Sequence, residues 1–205
     1  LYGGTSMAKI IGLTGGIASG KSTVARMMQN AGISIVDADV VAREVVEVGE
    51  PAYKKIVEQF GESILLEDGS INRPLLGNII FHQEEKRKKL NEIVHPAVRA
   101  KMKEDAARYI KEGHSIVVMD IPLLFESKLT HLVEKTILVY VDETTQLERL
   151  MERNNLSEED ALARIRSQMP LKEKLELADE VIDNNGTILE TEAQLNTILE
   201  KMADH

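Results

Sequence analysis

The run Gly15-Gly16-Ile17-Ala18-Ser19-Gly20-Lys21-Ser22 constrains this chain more than any other feature. It satisfies G-x-x-x-x-G-K-[ST] in full, with an apolar segment (9–14) directly before it and a helical pattern (22–31, stopped by Gly32) directly after. Strand, glycine loop and helix in that order make a phosphate loop. Gly15 and Gly20 permit backbone angles and a close approach that a Cβ would obstruct. Successive backbone N–H groups can then turn inward as a nest, reinforced by the helix N-terminus behind them. Candidate nucleotide-binding residues are therefore Gly15, Gly16, Ala18, Ser19, Gly20, Lys21, Ser22 and Thr23. Lys21 is suited to bridging β- and γ-phosphates, Ser22 to ligating Mg²⁺, and Thr23 to reaching the α-phosphate.

Such a loop needs a parallel sheet around it, and the chain supplies one. Apolar runs at 9–14, 33–36, 115–120, 136–141 and 180–182 are rich in Ile and Val and mostly continuous, as strands covered on both faces are. Helical patterns alternate with them, which predicts an α/β fold with a five-stranded parallel sheet flanked by helices. About eighty residues separate the second and third strands, far more than one crossover needs. Residues 45–112 are thus expected to form a helical substrate-binding insertion over the carboxyl edge of the sheet. Within it, the apolar period after Gln83 is interrupted by Pro96, predicting one helix ending near His95 and another starting at Pro96. A charged helical pair, 144–153 and 158–168, forms a smaller insertion read as a lid over 144–177. A last helix covers 189–202. The core of this single domain (7–205) is then 7–44, 113–143 and 178–205, with residues 1–6 read as an expression remnant before the start-like Met7.

Composition narrows the function. The 205 residues carry a formal net charge of −9, which argues against a protein built to grip nucleic acid. With no cysteine, disulfides and thiolate chemistry are excluded. No apolar run approaches the ~20 residues of a membrane span, and no secretory signal follows Met7. A cytoplasmic protein, monomeric or a small homo-oligomer, with no nucleic-acid or membrane partner is expected.

Binding a nucleotide does not say what is done with it. The second strand ends in Asp37-Ala38-Asp39, with Arg43 one helical turn beyond Asp39. Either carboxylate could accept the proton of an acceptor hydroxyl; Asp39 is the favoured base, with Asp37 aiding Mg²⁺ or capping the next helix. The buried run ending in Asp120 matches a Walker B strand, whose carboxylate holds the metal. Arg149 and Arg153 share one helix face, and Arg164, Arg166, Lys172 and Lys174 follow. Some of these could be ordinary solvated charges, but together they read as a lid with Arg149 as an arginine finger supplied in cis.

The segments Asp37-Ala38-Asp39-Val40-Val41-Ala42-Arg43, Asn72-Arg73-Pro74-Leu75-Leu76, Ile93-Val94-His95-Pro96, Asp120-Ile121-Pro122-Leu123-Leu124-Phe125-Glu126, Arg164-Ile165-Arg166-Ser167-Gln168 and Val181-Ile182-Asp183-Asn184-Asn185-Gly186, in this order behind the phosphate loop, resemble the dephospho-CoA kinase family over nearly the whole chain. The resemblance implies transfer of the ATP γ-phosphate to the 3′-hydroxyl of dephospho-CoA with Mg²⁺, the last step of coenzyme A synthesis. It implies Asp39 as base and Lys21 with Arg149 as stabilisers of the transferred group. It also implies Asp37, Asp39, Arg43, His95, Leu123 and Phe125 on the substrate side, and Asn184 with Gly186 against adenine. Ala18 stands where the family often has glycine, and Asn72 where it has aspartate. The alternatives are a related kinase acting on a nucleoside monophosphate, a sugar or shikimate, and a P-loop ATPase or GTPase switch. The chain has no Asn-Lys-x-Asp guanine signal.

Overall fold

Every expected apolar run forms a strand, displaced by a residue at most at either end. The computed structural model describes residues 8–203, so the presumed remnant 1–6 lies outside the described residues. The strands are β1 (Lys9–Thr14), β2 (Ser34–Asp37), β3 (Ile116–Asp120), β4 (Lys135–Tyr140) and β5 (Glu180–Asp183). They lie in the order β2-β3-β1-β4-β5, and β1 pairs in parallel with both β3 and β4. Side chains alternate across the sheet as the pleat requires. On β4, Ile137 and Val139 enter one core with Ile11, Leu13 and Ile182, whereas Leu138 faces the other way toward Leu171. The first core is closed by Val24 and Met28 of α1 (Lys21–Asn30) and by Leu195, Ile198 and Met202 of α9 (Ile188–Ala203).

The chain divides into two compact units, the first ending at Val36 and resuming at Arg108, the second running from Asp37 to Ala107. The second unit begins earlier than strand spacing indicates, because Asp37 immediately caps a new helix, α2 (Ala38–Glu44). It continues through α3 (Pro51–Phe60), α4 (Arg73–His82) and most of α5 (Glu84–Lys111). Ile56, Ile64 and Leu76 form its core, packed by Phe60, Leu90, Ile93 and Val94. Asn72, the departure from aspartate, caps α4 by accepting the Leu75 N–H at 3.2 Å. A cap needs one side-chain oxygen, which Asn and Asp both offer.

Pro96 does not divide α5. The helix runs unbroken for 28 residues with the proline inside it. Pro96 and Glu92, whose carbonyl loses its partner, both face solvent, so water can satisfy the orphan group. Ile93 and Val94, in the turn just before the proline, meanwhile pack into the core of the second unit and hold the helix there.

After β4 come α6 (Glu143–Asn154), α7 (Glu158–Arg166) and a single turn, α8 (Leu171–Lys174), which periodicity does not anticipate. No helix among the described residues is long and apolar enough to cross a membrane. Because the cost of Pro96 is local, Pro96→Ala is expected to stabilise the protein by up to about 3 kcal/mol, read as a higher urea midpoint. A lowered midpoint would mean that the proline is not a defect in α5.

Candidate active site

In the strand order β2-β3-β1-β4-β5, the chain leaves β1 toward one edge of the sheet and leaves β4 toward the other. Connections that diverge in this way open a crevice above the carboxyl ends of adjacent strands. A cavity of about 790 Å³ lies there, lined by all of residues 15–23 and by Pro122, Arg149, Arg153, Gln168, Asn184 and Ile188 among others. Residues 15–23, α6 and the turn after β5 thus share one cavity.

The loop is held from its outside. In a trans peptide the C=O and the following N–H point in opposite directions, so fixing a carbonyl outward aims the next N–H inward. Gln146, buried on α6, donates to the Ile17 carbonyl at 2.8 Å. Asn184 donates to the Ser19 carbonyl at 2.8 Å. Lys174, fully buried, donates to the Gly15 carbonyl at 3.2 Å. The Ala18 and Gly20 N–H groups are thereby aimed to the inside. Gly20 is in the left-handed region (φ 89°), and a Cβ there would meet the Asn184 amide nitrogen at 2.1 Å. Ala18 adopts φ 59° with a side chain that glycine would lack. Its methyl packs with Ile17 against Leu150, Ala161 and Ile165 of the lid hairpin, which offsets the backbone strain.

Asn184, which the resemblance sets against adenine, has a further task in holding the loop. Its amide nitrogen is engaged by Ser19 and its oxygen accepts the buried Thr191 hydroxyl at 2.6 Å. It lines the cavity, as Gly186 does, but its polar atoms serve the loop.

Lys21 forms an ion pair with Asp120 at the end of β3, both largely buried. Parallel pairing sets Asp120 beside Leu13, so strand register itself brings the Walker B carboxylate to the loop. Ser22 lies exposed on the cavity wall. The stretch after Asp120 splits: Leu123 is exposed, whereas Leu124 and Phe125 are buried. Phe125 lines a separate, smaller cleft with Lys135, at the start of β4, and Asp179. A substrate contact by Phe125 therefore has no support from its placement.

Of the basic group, Arg149 and Arg153 line the cavity. Arg164 is solvent-exposed, Arg166 pairs with Glu143 at 3.2 Å, and Lys174 is not a lid residue at all but lies behind the loop. In the second unit, Asp37 accepts the Asp39 and Val40 N–H groups, the helix-cap alternative. The Asp39 carboxylate takes no part in that cap and is exposed, as are Arg43 and His95.

The family model described as CoaE, dephospho-CoA kinase, matches residues 9–190. The chain belongs to the dephospho-CoA kinase family. A relative named dephospho-CoA kinase from Bacillus anthracis is 62% identical over 195 residues, covering 95% of this chain and 98% of the relative. Another from Halalkalibacterium halodurans is 57% identical over 192 residues, 94% of this chain and 96% of the relative. Among solved structures, TT1252 from Thermus thermophilus aligns with a TM-score of 0.77 at 34% identity, covering 95% of this chain and 97% of that one. Dephospho-CoA kinase from Campylobacter jejuni aligns at 0.74 with 31% identity and the same coverage.

In this family member, Gln146, Lys174 and Thr191 shape the site without any sequence motif to mark them. The available signal was weak: a polar residue at an inward helical position, as with Gln146 four residues before Leu150. The start of α6 is set by Asp142, whose carboxylate accepts the Thr145 N–H at 2.8 Å. That hydrogen bond, with a smaller contribution from the Arg149 charge, holds the Asp142 carboxyl below its ordinary value of 3.8. A lowered folded value stabilises the protein above pH 3.8 and ceases to do so as pH falls through it. Asp142→Ala is expected to lower the urea midpoint at neutral pH, by about 1 kcal/mol or less for so exposed a cap. The gap between variant and parent should close as the medium is acidified below 3.8; a gap that stays constant would remove the charge from the cap's contribution.

Proposed function

We infer that this member of the dephospho-CoA kinase family transfers the γ-phosphate of ATP to the 3′-hydroxyl of dephospho-CoA, giving CoA and ADP. The observation that carries the reading is a complete phosphate loop, clamped from outside and facing an arginine-lined cavity, in a chain matched to the family over residues 9–190. A cavity of about 790 Å³ is of the size that cofactor sites take.

The roles follow from charge and placement. Inward N–H groups of the loop bind the polyphosphate, and the Thr23 hydroxyl lies at the α-phosphate end. Lys21 exchanges its Asp120 partner for the β- and γ-phosphates. Arg149, supplied from α6, spreads positive charge over the phosphoryl group in flight. Asp39 accepts the proton of the attacking hydroxyl as the new O–P bond forms and the bond to the β-phosphate oxygen breaks, with ADP leaving. Asp37 holds the turn that presents Asp39. Arg43, His95 and Leu123 are assigned to the acceptor.

Ser22 and Asp120 offer hard oxygen donors, the chemistry Mg²⁺ takes. Mg²⁺ keeps several waters and needs few protein ligands, a demand that two oxygen donors beside a phosphate site can meet. Ser22 would hold it directly and Asp120 directly or through water. Bound there, Mg²⁺ would supply charge neutralisation at the phosphates.

A coupled ADP-release assay with Mg-ATP tests the reaction, comparing dephospho-CoA with AMP, CMP, shikimate and gluconate. Turnover confined to dephospho-CoA is expected; turnover with another acceptor would move the chain to a related kinase, and acceptor-independent release to an ATPase. Lys21→Ala is expected to abolish transfer with the fold retained by circular dichroism. Asp39→Asn should lower kcat by about 10²–10⁴-fold with the KM for dephospho-CoA nearly kept. Should Asp37→Asn produce that loss instead, the two carboxylates exchange roles.

A further inference from the structure

Lys174 is a fully buried lysine that the proposed chemistry does not use. Its ammonium lies 3.0 Å from Glu126 Oε2 and donates to the Gly15 carbonyl at 3.2 Å. Neither Glu126 carboxylate oxygen, both shielded from solvent, is within hydrogen-bonding geometry of another group in the described residues. The pair is costly, because burying two charges is often no better for stability than an apolar pair of the same volume. Its position suggests what it does. It sits directly behind the first two residues of the phosphate loop, on the turn α8, whose Leu171 packs so tightly on Gly16 that a Cβ there would meet it at 2.9 Å.

Gly15 and Gly16 are consecutive glycines, the pair of residues least able to resist rotation of the peptide between them. With the Gly15 carbonyl outward, the Gly16 N–H turns the other way and donates to the Ser19 hydroxyl at 3.2 Å, closing the first turn of the loop. Rotating that peptide would aim a carbonyl's negative end toward the phosphate side and release Ser19. Glu126 neutralises the lysine at short range, so the pair adds orientation more than it adds positive potential at the phosphates.

We propose that Lys174, braced by Glu126, is a positioning residue that locks the Gly15–Gly16 peptide in the orientation that binds phosphate. The proposal rests on residues 15–23 being the phosphate site, and its test separates the two readings. The probes are inorganic tripolyphosphate, which needs only the loop, and adenosine, which needs only the base side of the cavity; each is measured as a competitive inhibitor against ATP. Lys174→Met strands the Glu126 charge and endangers the fold. The decisive variant is therefore the neutral pair Lys174→Met with Glu126→Met, compared with the parent by melting temperature and by both inhibition constants.

The expected result is a folded double variant whose tripolyphosphate constant rises about tenfold while its adenosine constant stays within about twofold. Equal weakening of both probes, or an unchanged tripolyphosphate constant, would overturn the proposal and leave the pair a packing element. Tripolyphosphate failing to compete with ATP on the parent would overturn the phosphate-site reading, and this proposal with it.

Discussion

A phosphate-binding nest works only if the carbonyls of its peptides are turned away from the anion, and here that outward orientation depends on groups far away in sequence. Gln146, Asn184 and Lys174 each donate to a different loop carbonyl, and each comes from a different element. The loop itself holds only its Gly16 and Gly20 carbonyls among these hydrogen bonds, through the Ser19 and Thr23 N–H groups at 3.1 Å each. Its inward N–H groups are thus a product of tertiary structure, fixed once α6, α8 and the turn after β5 have docked. Thr191 extends the same logic one step outward, because its hydroxyl orients the Asn184 amide that holds Ser19.

The net charge of −9 would by itself repel a nucleoside triphosphate. What matters at a distance of a few ångströms is which charges border the cavity. Lys21, Arg149 and Arg153 do, together with Glu152, while many of the chain's acidic side chains, such as Glu84 and Glu85, lie on exposed helical faces. At physiological salt, charges further than a Debye length of about 8 Å are largely screened. An acidic surface and an anion site are therefore compatible, and local charge decides recognition.

The sequence makes some of these features legible and hides others for a physical reason. Strands and phosphate loop are coded locally, by runs of Ile and Val and by glycine spacing, so residues 9–14 and 15–22 can be read directly. The Arg149 and Arg153 face is also local, a matter of helical period. Lys174, by contrast, looks like one more charge on a basic segment, and only the packing of α8 against Gly16 turns it inward. Phe125 misleads in the opposite sense, since an apolar residue after a proline bend can face a ligand or the core with equal ease. Pro96 misleads because a rule about hydrogen bonding holds only when the orphaned carbonyl has no water, and α5 turns that carbonyl to solvent.

The Lys21–Asp120 ion pair shows how such a site can be both ready and selective. A lysine next to a phosphate nest, left without an anion, would be a buried charge paying its full desolvation cost. Asp120 supplies the anion, and the parallel register of β1 and β3 places it there without any loop having to adjust. An incoming polyphosphate must then replace one carboxylate contact of Lys21 with contacts to several oxygens. A ligand bringing a single negative charge would exchange one ion pair for another and gain little. The pair thus sets one anion against the Lys21 ammonium, with Asp120 fixed by the register of β1 and β3 and Lys21 by the first turn of α1.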